Sequence, residues 1–200
     1  MDKLFKFKFF SPILKIFKTF KEVSFGNDGN ISQEKLENCI NSDLANNYGN
    51  LCQRVLTFCE KNCDLKVPSH EFNKDDLDVL IPFEDLNKLR NLIDNQKINE
   101  YMNFLIESLF AANKYFNDQE PWKKKDDKIR LNTIVFTSLE LIRKISILLN
   151  PVIPETSLKV LKKFSIDEKN LNLNSIANHE NLKEGISLSK MNILFKKIEK

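Results

Sequence analysis

The hydrophobic positions recur at three- and four-residue steps over most of the chain, the signature of helices with one buried face. Leu36, Ile40, Leu44, Leu51, Val55, Phe58 and Cys59 set one such stripe over 33–63. Ser32 precedes it as an N-cap, and Glu34 places acid in the first turn. The loop "VPSHEFNKDD" (67–76) ends in a second cap, Asn73, and 74–95 and 97–118 read as two further helices. Leu105, Leu109, Ala112 and Phe116 carry the stripe of the second, which stops at "DQEPW" because Pro121 cannot continue a helix. Another helix spans about 126–149, with Leu131, Ile134, Val135, Leu139, Ile142 and Ile145 inward. "NPVIPE" breaks it, and Pro151 or Pro154 can open the next, to about Lys163. Beyond Phe164 the pattern fades into an Asn-rich loop, and "MNILF" is a last apolar stretch. No segment alternates long enough for a sheet. The expectation is an all-α protein, an antiparallel bundle of about five helices.

The ends divide the chain into 1–21, a basic Phe-rich segment; 22–164, the bundle; and 165–200, a loop and short apolar tail packing on the bundle. Lysines interrupt every apolar run of 1–21, so it is no transmembrane helix. "SFGNDGNIS" (24–32) reads as a turn.

Charge narrows the function classes. The formal net charge is +3; residues 1–22 carry six Lys against Asp2 and Glu22, or +4, leaving −1 for the rest. A nucleic-acid function must therefore come from a local patch. Of 31 basic residues only four are Arg, and Asn occurs 24 times, so lysine runs carry little functional weight and each arginine more.

Cys39, Cys52, Cys59 and Cys63 lack the paired ligand spacing of zinc sites and read as core cysteines in a reducing cytoplasm. His70 and His179 read as surface or loop histidines. Asp75/Asp76 and Asp126/Asp127 fall at exposed helix starts, where acids complement the dipole. No metal site is expected. No phosphate loop, G-x-S-x-G or H-E-x-x-H is present, so no catalytic residues can be named.

One stretch stands apart. "NKYFNDQEPWKKKDDKIR" (113–130) holds the single tryptophan, Trp122, after a proline and before three lysines. A lone Trp beside Pro commonly packs a helix corner. Asn50 and Arg54, four residues apart, share a helix face and commonly face solvent.

Taken together, "EVSFGNDGNIS" (22–32), "NSDLANNYGNLCQRV" (41–55), "AANKYFNDQEPW" (111–122) and "LLNPVIPET" (148–156) resemble, in this order, the C-terminal anticodon-binding domain of bacterial methionyl-tRNA synthetases. The resemblance covers about 20–164, and more weakly "ILFKKIE" at 193–199. It implies the helical fold shared by class I synthetases and recognition of the CAU anticodon of tRNA-Met, initiator and elongator. The family's Asn–Leu–x–x–Arg pattern falls on Asn50 and Arg54, and its Pro-Trp on Trp122. The resemblance turns both structural readings into functional ones: an indole for stacking and an amide and guanidinium for base edges.

Lys123, Lys124, Lys125, Lys128 and Arg130 could then hold phosphates, and Asn46, Asn47 and Tyr48 are further candidates for the same surface. Where the family has a Lys four positions after the Trp, this chain has Asp126. The His-Ile-Gly-His-like signature and Lys-Met-Ser-Lys-Ser loop of a complete synthetase are missing; "LSKMN" (188–192) shares letters only. The expectation is a fragment, a split gene product or the product of a gene interrupted by a frameshift, in the cytoplasm. It has no cofactor of its own. ATP with Mg is implied for the full enzyme, with the catalytic domain as partner in cis or in trans. The competing expectation is a helical interaction module docking on a membrane or protein partner through 1–21.

Overall fold

Helix α6, Lys128–Leu149, is the axis around which the other elements pack. Every residue from Thr133 to Leu149 is buried, so from Thr133 on this helix lacks a solvent face. The computed structural model describes residues 32–168, 171–177 and 182–198. The 1–21 segment, the turn at 24–31 and His179 lie outside the described residues.

Chain order explains the arrangement. Helix α1 (Gln33–Cys39) runs into a π-helical stretch, Ile40–Gly49, and on into α2, Asn50–Cys63, with helical backbone angles at both joints. Ser32 Oγ accepts from Lys35 N at 3.2 Å, the expected cap. The wide turn shows at Asn50, whose N–H donates to the Ala45 carbonyl five residues back. Helices α3 (Lys74–Leu80) and α4 (Leu86–Asp94) follow, then α5 (Ile98–Asp118), α6, α7 (Pro154–Lys163) and a four-residue α8, Asn174–Ala177.

The five expected helical segments are present, with one correction. The span 74–95 is broken: α3 passes into a 3-10 turn, Ile81–Phe83, before α4. Pro82 supplies no N–H to continue the ladder, and the kink drives Phe83 to 1% exposure in the core. Among the described residues there is no strand. An isolated antiparallel bridge joins Lys66 to Ser187. It fixes the path of a C-terminal strap, residues 182–198: Gly185 N and Leu188 N donate to the Val67 and Leu65 carbonyls at 2.8 and 2.7 Å.

Cys39, Cys52 and Cys59 are core residues and Cys63 is half-buried. Burial pushes the Cys52 thiol far above its usual range, so it stays neutral and packs as an apolar side chain. His70 stacks on Phe136 with ring centroids 3.6 Å apart.

One buried polar cluster ties the C-terminal part to the axis. Glu140 Oε1 and Oε2 accept from Arg143 Nη2 and Nε at 2.6 and 2.7 Å. Arg143 Nη2 also donates to the Ser175 carbonyl at 2.8 Å, and Lys144 Nζ donates to the Ile176 carbonyl. Lys144 is fully buried, and burial lowers its ammonium to about 8 even though Glu140, 3.4 Å away, opposes the shift. A cation whose folded pKa lies below its unfolded value costs stability at low pH, and that cost fades as pH rises from 8 towards 10.5. Lys144→Met should therefore abolish a gain of about 2 kcal/mol between pH 8 and 10, read by urea unfolding at the two pH values. Parallel pH profiles for the two proteins would refute this.

Candidate nucleic-acid interface

The site begins with the solvent side of α2. Leu51, Cys52, Val55, Leu56 and Cys59 face the core, which leaves Asn50, Gln53, Arg54, Thr57 and Lys61 along the opposite stripe. Beside it, α5 ends at Asp118, and the chain reverses through Glu120 (φ +44) into the 3-10 turn Pro121–Lys123. A non-glycine residue in the left-handed region is unusual, and before proline it is strained. The turn is held all the same. Pro121 is buried, and Lys123 N and Lys124 N donate to the Glu120 and Pro121 carbonyls at 2.9 and 3.1 Å.

Trp122 consequently stands off the helix end with 40% of its surface exposed. Its ring meets the edge of Phe116 at 6.1 Å and 69°, and Phe58 meets Phe116 from another side at 5.8 Å and 83°. Arg54 lies over Phe116, its guanidinium carbon 5.5 Å from the ring centroid, and Nη2 donates to Asn117 Oδ1 at 2.6 Å. Arg54 and Trp122 therefore face one cleft of about 400 Å³, with Phe58 and Phe116 as its apolar floor and Gln53, Thr57 and Lys61 on its rim. Asn50 opens instead into an adjoining cleft, one turn back along α2, and Gln53 lines both.

The turn is located by a second set of contacts. Asn73 caps α3 in a capping box with Asp76, at 3.2 and 2.8 Å. The same carboxylate accepts from Arg130 Nη1 and Nη2 at 2.6 and 2.9 Å and from the Tyr115 hydroxyl. Arg130 Nη2 further donates to Gln119 Oε1 at 2.7 Å, and Gln119 Nε2 to Asp75 Oδ2 at 3.1 Å. Gln119 is the C-cap residue just after α5, three positions before Trp122.

Two placements differ from the expectations. Arg130, expected near phosphates, has its side chain 15% exposed and paired with Asp76. Asp76 is not an exposed helix-start acid but is fully buried, while Asp75 does face solvent. Asp127 sits at the start of α6 as placed by sequence, its side chain accepting from Arg130 N.

Lys123 is exposed and paired with Glu120 at 2.7 Å, a surface contact worth little. Lys125 is exposed and Lys124 half-exposed, and neither has an ion-pair partner among the described residues. Lys128 donates to the Asn62 carbonyl. Of the further candidates Asn46 is exposed and lines the second cleft. Asn47 and Tyr48 are buried, bonded to Asn113 (2.6 Å) and Ser146 (2.7 Å). Sequence reading missed Gln53, Thr57, Phe58, Lys61 and Phe116. The first two and Lys61 follow from Asn50 and Arg54 by continuing the helical period to i+3 and i+7.

Residues 83–200 match the family described as the anticodon binding domain of methionyl tRNA ligase. That span is more than half of the chain. The chain belongs to the methionyl-tRNA ligase anticodon-binding domain family. Among methionine–tRNA ligases, that of Thermotoga maritima is 34% identical over 184 residues, 90% of this chain and 29% of that protein. The Brucella suis enzyme is 37% identical over 144 residues, 70% of this chain and 28% of that protein. The apo structure of Mycobacterium tuberculosis methionyl-tRNA synthetase superposes with a TM-score of 0.88 at 30% identity, covering 94% of this chain and 39% of that one. The same enzyme bound by methionyl-adenylate gives 0.86 at 30% identity, covering 92% and 37%.

This anticodon-binding domain chain thus spans about three tenths of the length of the curated ligases it matches. Among the described residues no helix is long and apolar enough to cross a membrane, and no cluster of His, Cys, Asp or Glu could hold a metal ion.

Proposed function

We propose that this chain is the tRNA-reading part of a methionine–tRNA ligase and takes the splayed bases of a CAU anticodon on the face built by α2 and the Pro121–Lys123 turn. The observation that carries this reading is the shared cleft. Trp122 offers an open indole on one wall and Arg54 a guanidinium on the other, over an apolar floor. Unpaired bases are read in this way, by stacking on aromatic rings and by bonds to their Watson–Crick edges. Arg54 gives one N–H to Asn117, which orients the fork, and its remaining donors are available for a base or phosphate. Asn50 supplies an amide, able to donate and accept, one turn away. Lys61 lines the cleft, and Lys123, Lys124 and Lys125 follow Trp122 directly in the chain, positive charge suited to the loop phosphates.

The partner is tRNA-Met, initiator and elongator, together with the catalytic domain of the ligase in cis or in trans, in the cytoplasm. ATP with Mg and methionine belong to that catalytic domain, and no residue described here is assigned to them.

Titration of the full chain with a CAU anticodon stem-loop and a one-base variant tests the reading. The CAU loop should bind more tightly, and Trp122→Ala or Arg54→Ala should each remove about 1–3 kcal/mol of that binding. Both side chains are at least partly exposed, so thermal unfolding should change little. Equal affinity for the two loops, or undiminished binding by Trp122→Ala, would overturn it.

A further inference from the structure

The second cleft, of about 560 Å³, lies between the π-helical stretch and the C-terminal strap. One wall presents Asn46 and Asn50; the other presents Phe195, Lys196 and Lys197 from a segment some 150 positions away in sequence.

The two lysines sit between pinned residues. On one side Phe195 packs on Tyr48, ring centroids 6.4 Å apart, and against Gly49, where a Cβ would stand 3.3 Å from the Phe195 ring. On the other, Ile198 is held by a reciprocal pair: its N–H donates to Asn41 Oδ1 at 2.9 Å, and its carbonyl accepts from Asn41 Nδ2 at 3.0 Å. Lys196 and Lys197 are themselves exposed, and neither has an ion-pair partner among the described residues.

We infer that this cleft is a second nucleotide subsite, which holds a loop nucleotide beside the anticodon triplet: Lys196 and Lys197 take its phosphate, and Asn46 meets its base. This rests on the anticodon-loop reading given above. Three observations favour RNA over a protein neighbour. The cleft runs into the first one at Gln53, so one strand can pass through both. Its unpaired charge is positive only, which suits a phosphate backbone. Its side-chain amides can donate to and accept from a base edge, as single-strand readout requires. Anchoring on both sides of the lysines lowers the ordering cost that a free tail would meet on binding.

The test uses the full chain carrying Lys196→Ala and Lys197→Ala together, titrated with the CAU stem-loop at several salt concentrations. Each single-strand phosphate neutralised contributes about 0.7 to the slope of log K against log salt, so losing the one phosphate that the two lysines share should flatten that slope by about 0.7. Affinity at low salt should fall several-fold while the preference for CAU over the one-base variant stays. A stem-loop with uncharged methylphosphonate linkages beside the triplet should bind the two proteins alike. Unchanged affinity and slope overturn the inference and leave the cleft to a protein partner; so does a loss that the methylphosphonate loop reproduces in full. Trp122→Ala run in parallel separates the two readings. If it weakens binding while the lysine variant is silent, the subsite alone fails. If CAU is not preferred and Trp122→Ala is silent too, both fall.

Discussion

Asp76→Ala should cost the protein about 3–5 kcal/mol in urea or thermal unfolding. The carboxylate is fully buried and faces three elements at once. It closes the capping box of α3, pairs with both terminal nitrogens of Arg130 on α6, and accepts the hydroxyl of Tyr115 on α5. Losing the cap alone costs about 1 kcal/mol. Most of the remainder comes from Arg130, which stays charged and is left without its counter-ion in a site 15% exposed. Asp76→Asn keeps the shape and an acceptor but not the charge, so it should fall between Ala and the parent. The loss also has a functional reading. Arg130 holds Gln119, and Gln119 leads into the turn that presents Trp122. Under conditions where the variant is still folded, its anticodon-loop affinity should drop although Asp76 touches no part of the cleft. A change below 1 kcal/mol in stability would show that the network is idle.

The sequence revealed some of this and concealed the rest for identifiable reasons. Helix α5 was legible because its inward stripe and its Pro-Trp stop are both local. The Asn73 cap was legible for the same reason, since Asn followed by acidic residues announces a first turn. The break at Pro82 was a local signal too, but the apolar periodicity continued across it and hid it. Arg130 could not be placed from sequence. A basic residue after three lysines looks like part of a phosphate patch, and nothing local says that a carboxylate 54 positions earlier lies buried opposite it. Phe116 belonged to the core stripe of α5, and at 2% exposure it does lie in the core; only the fold shows that its ring also floors the Arg54–Trp122 cleft. The strap was the least legible part. Its pairing with Asn41 and Tyr48 joins segments some 150 positions apart, and periodicity carries no information about such a return.

Glu140→Ala should be at least as damaging, about 3–5 kcal/mol, because it removes the carboxylate that pairs with two buried cations. They respond differently. Lys144, already lowered to about 8, can shed its proton near neutral pH, which limits its share of the loss. Arg143 cannot, and at 2% exposure its guanidinium loses the carboxylate that accepts from both Nε and Nη2. The deficit should therefore be dominated by Arg143. Adding Arg143→Leu and Lys144→Met should recover much of it, since apolar residues of similar volume often replace a buried ionic cluster at no net cost. That recovery should not extend to the C-terminal part. The carbonyls of Ser175 and Ile176 lose the donors that bind α8 to the axis, so hydrogen exchange or proteolysis should find residues 171–177 and 182–198 opening more readily in the triple variant. Because the strap that carries Lys196 and Lys197 follows α8, a triple variant with restored global stability should still bind the anticodon loop with a flattened salt slope. A triple variant whose C-terminal residues stay as protected as the parent's would show that Phe195 and Ile198 hold the strap unaided.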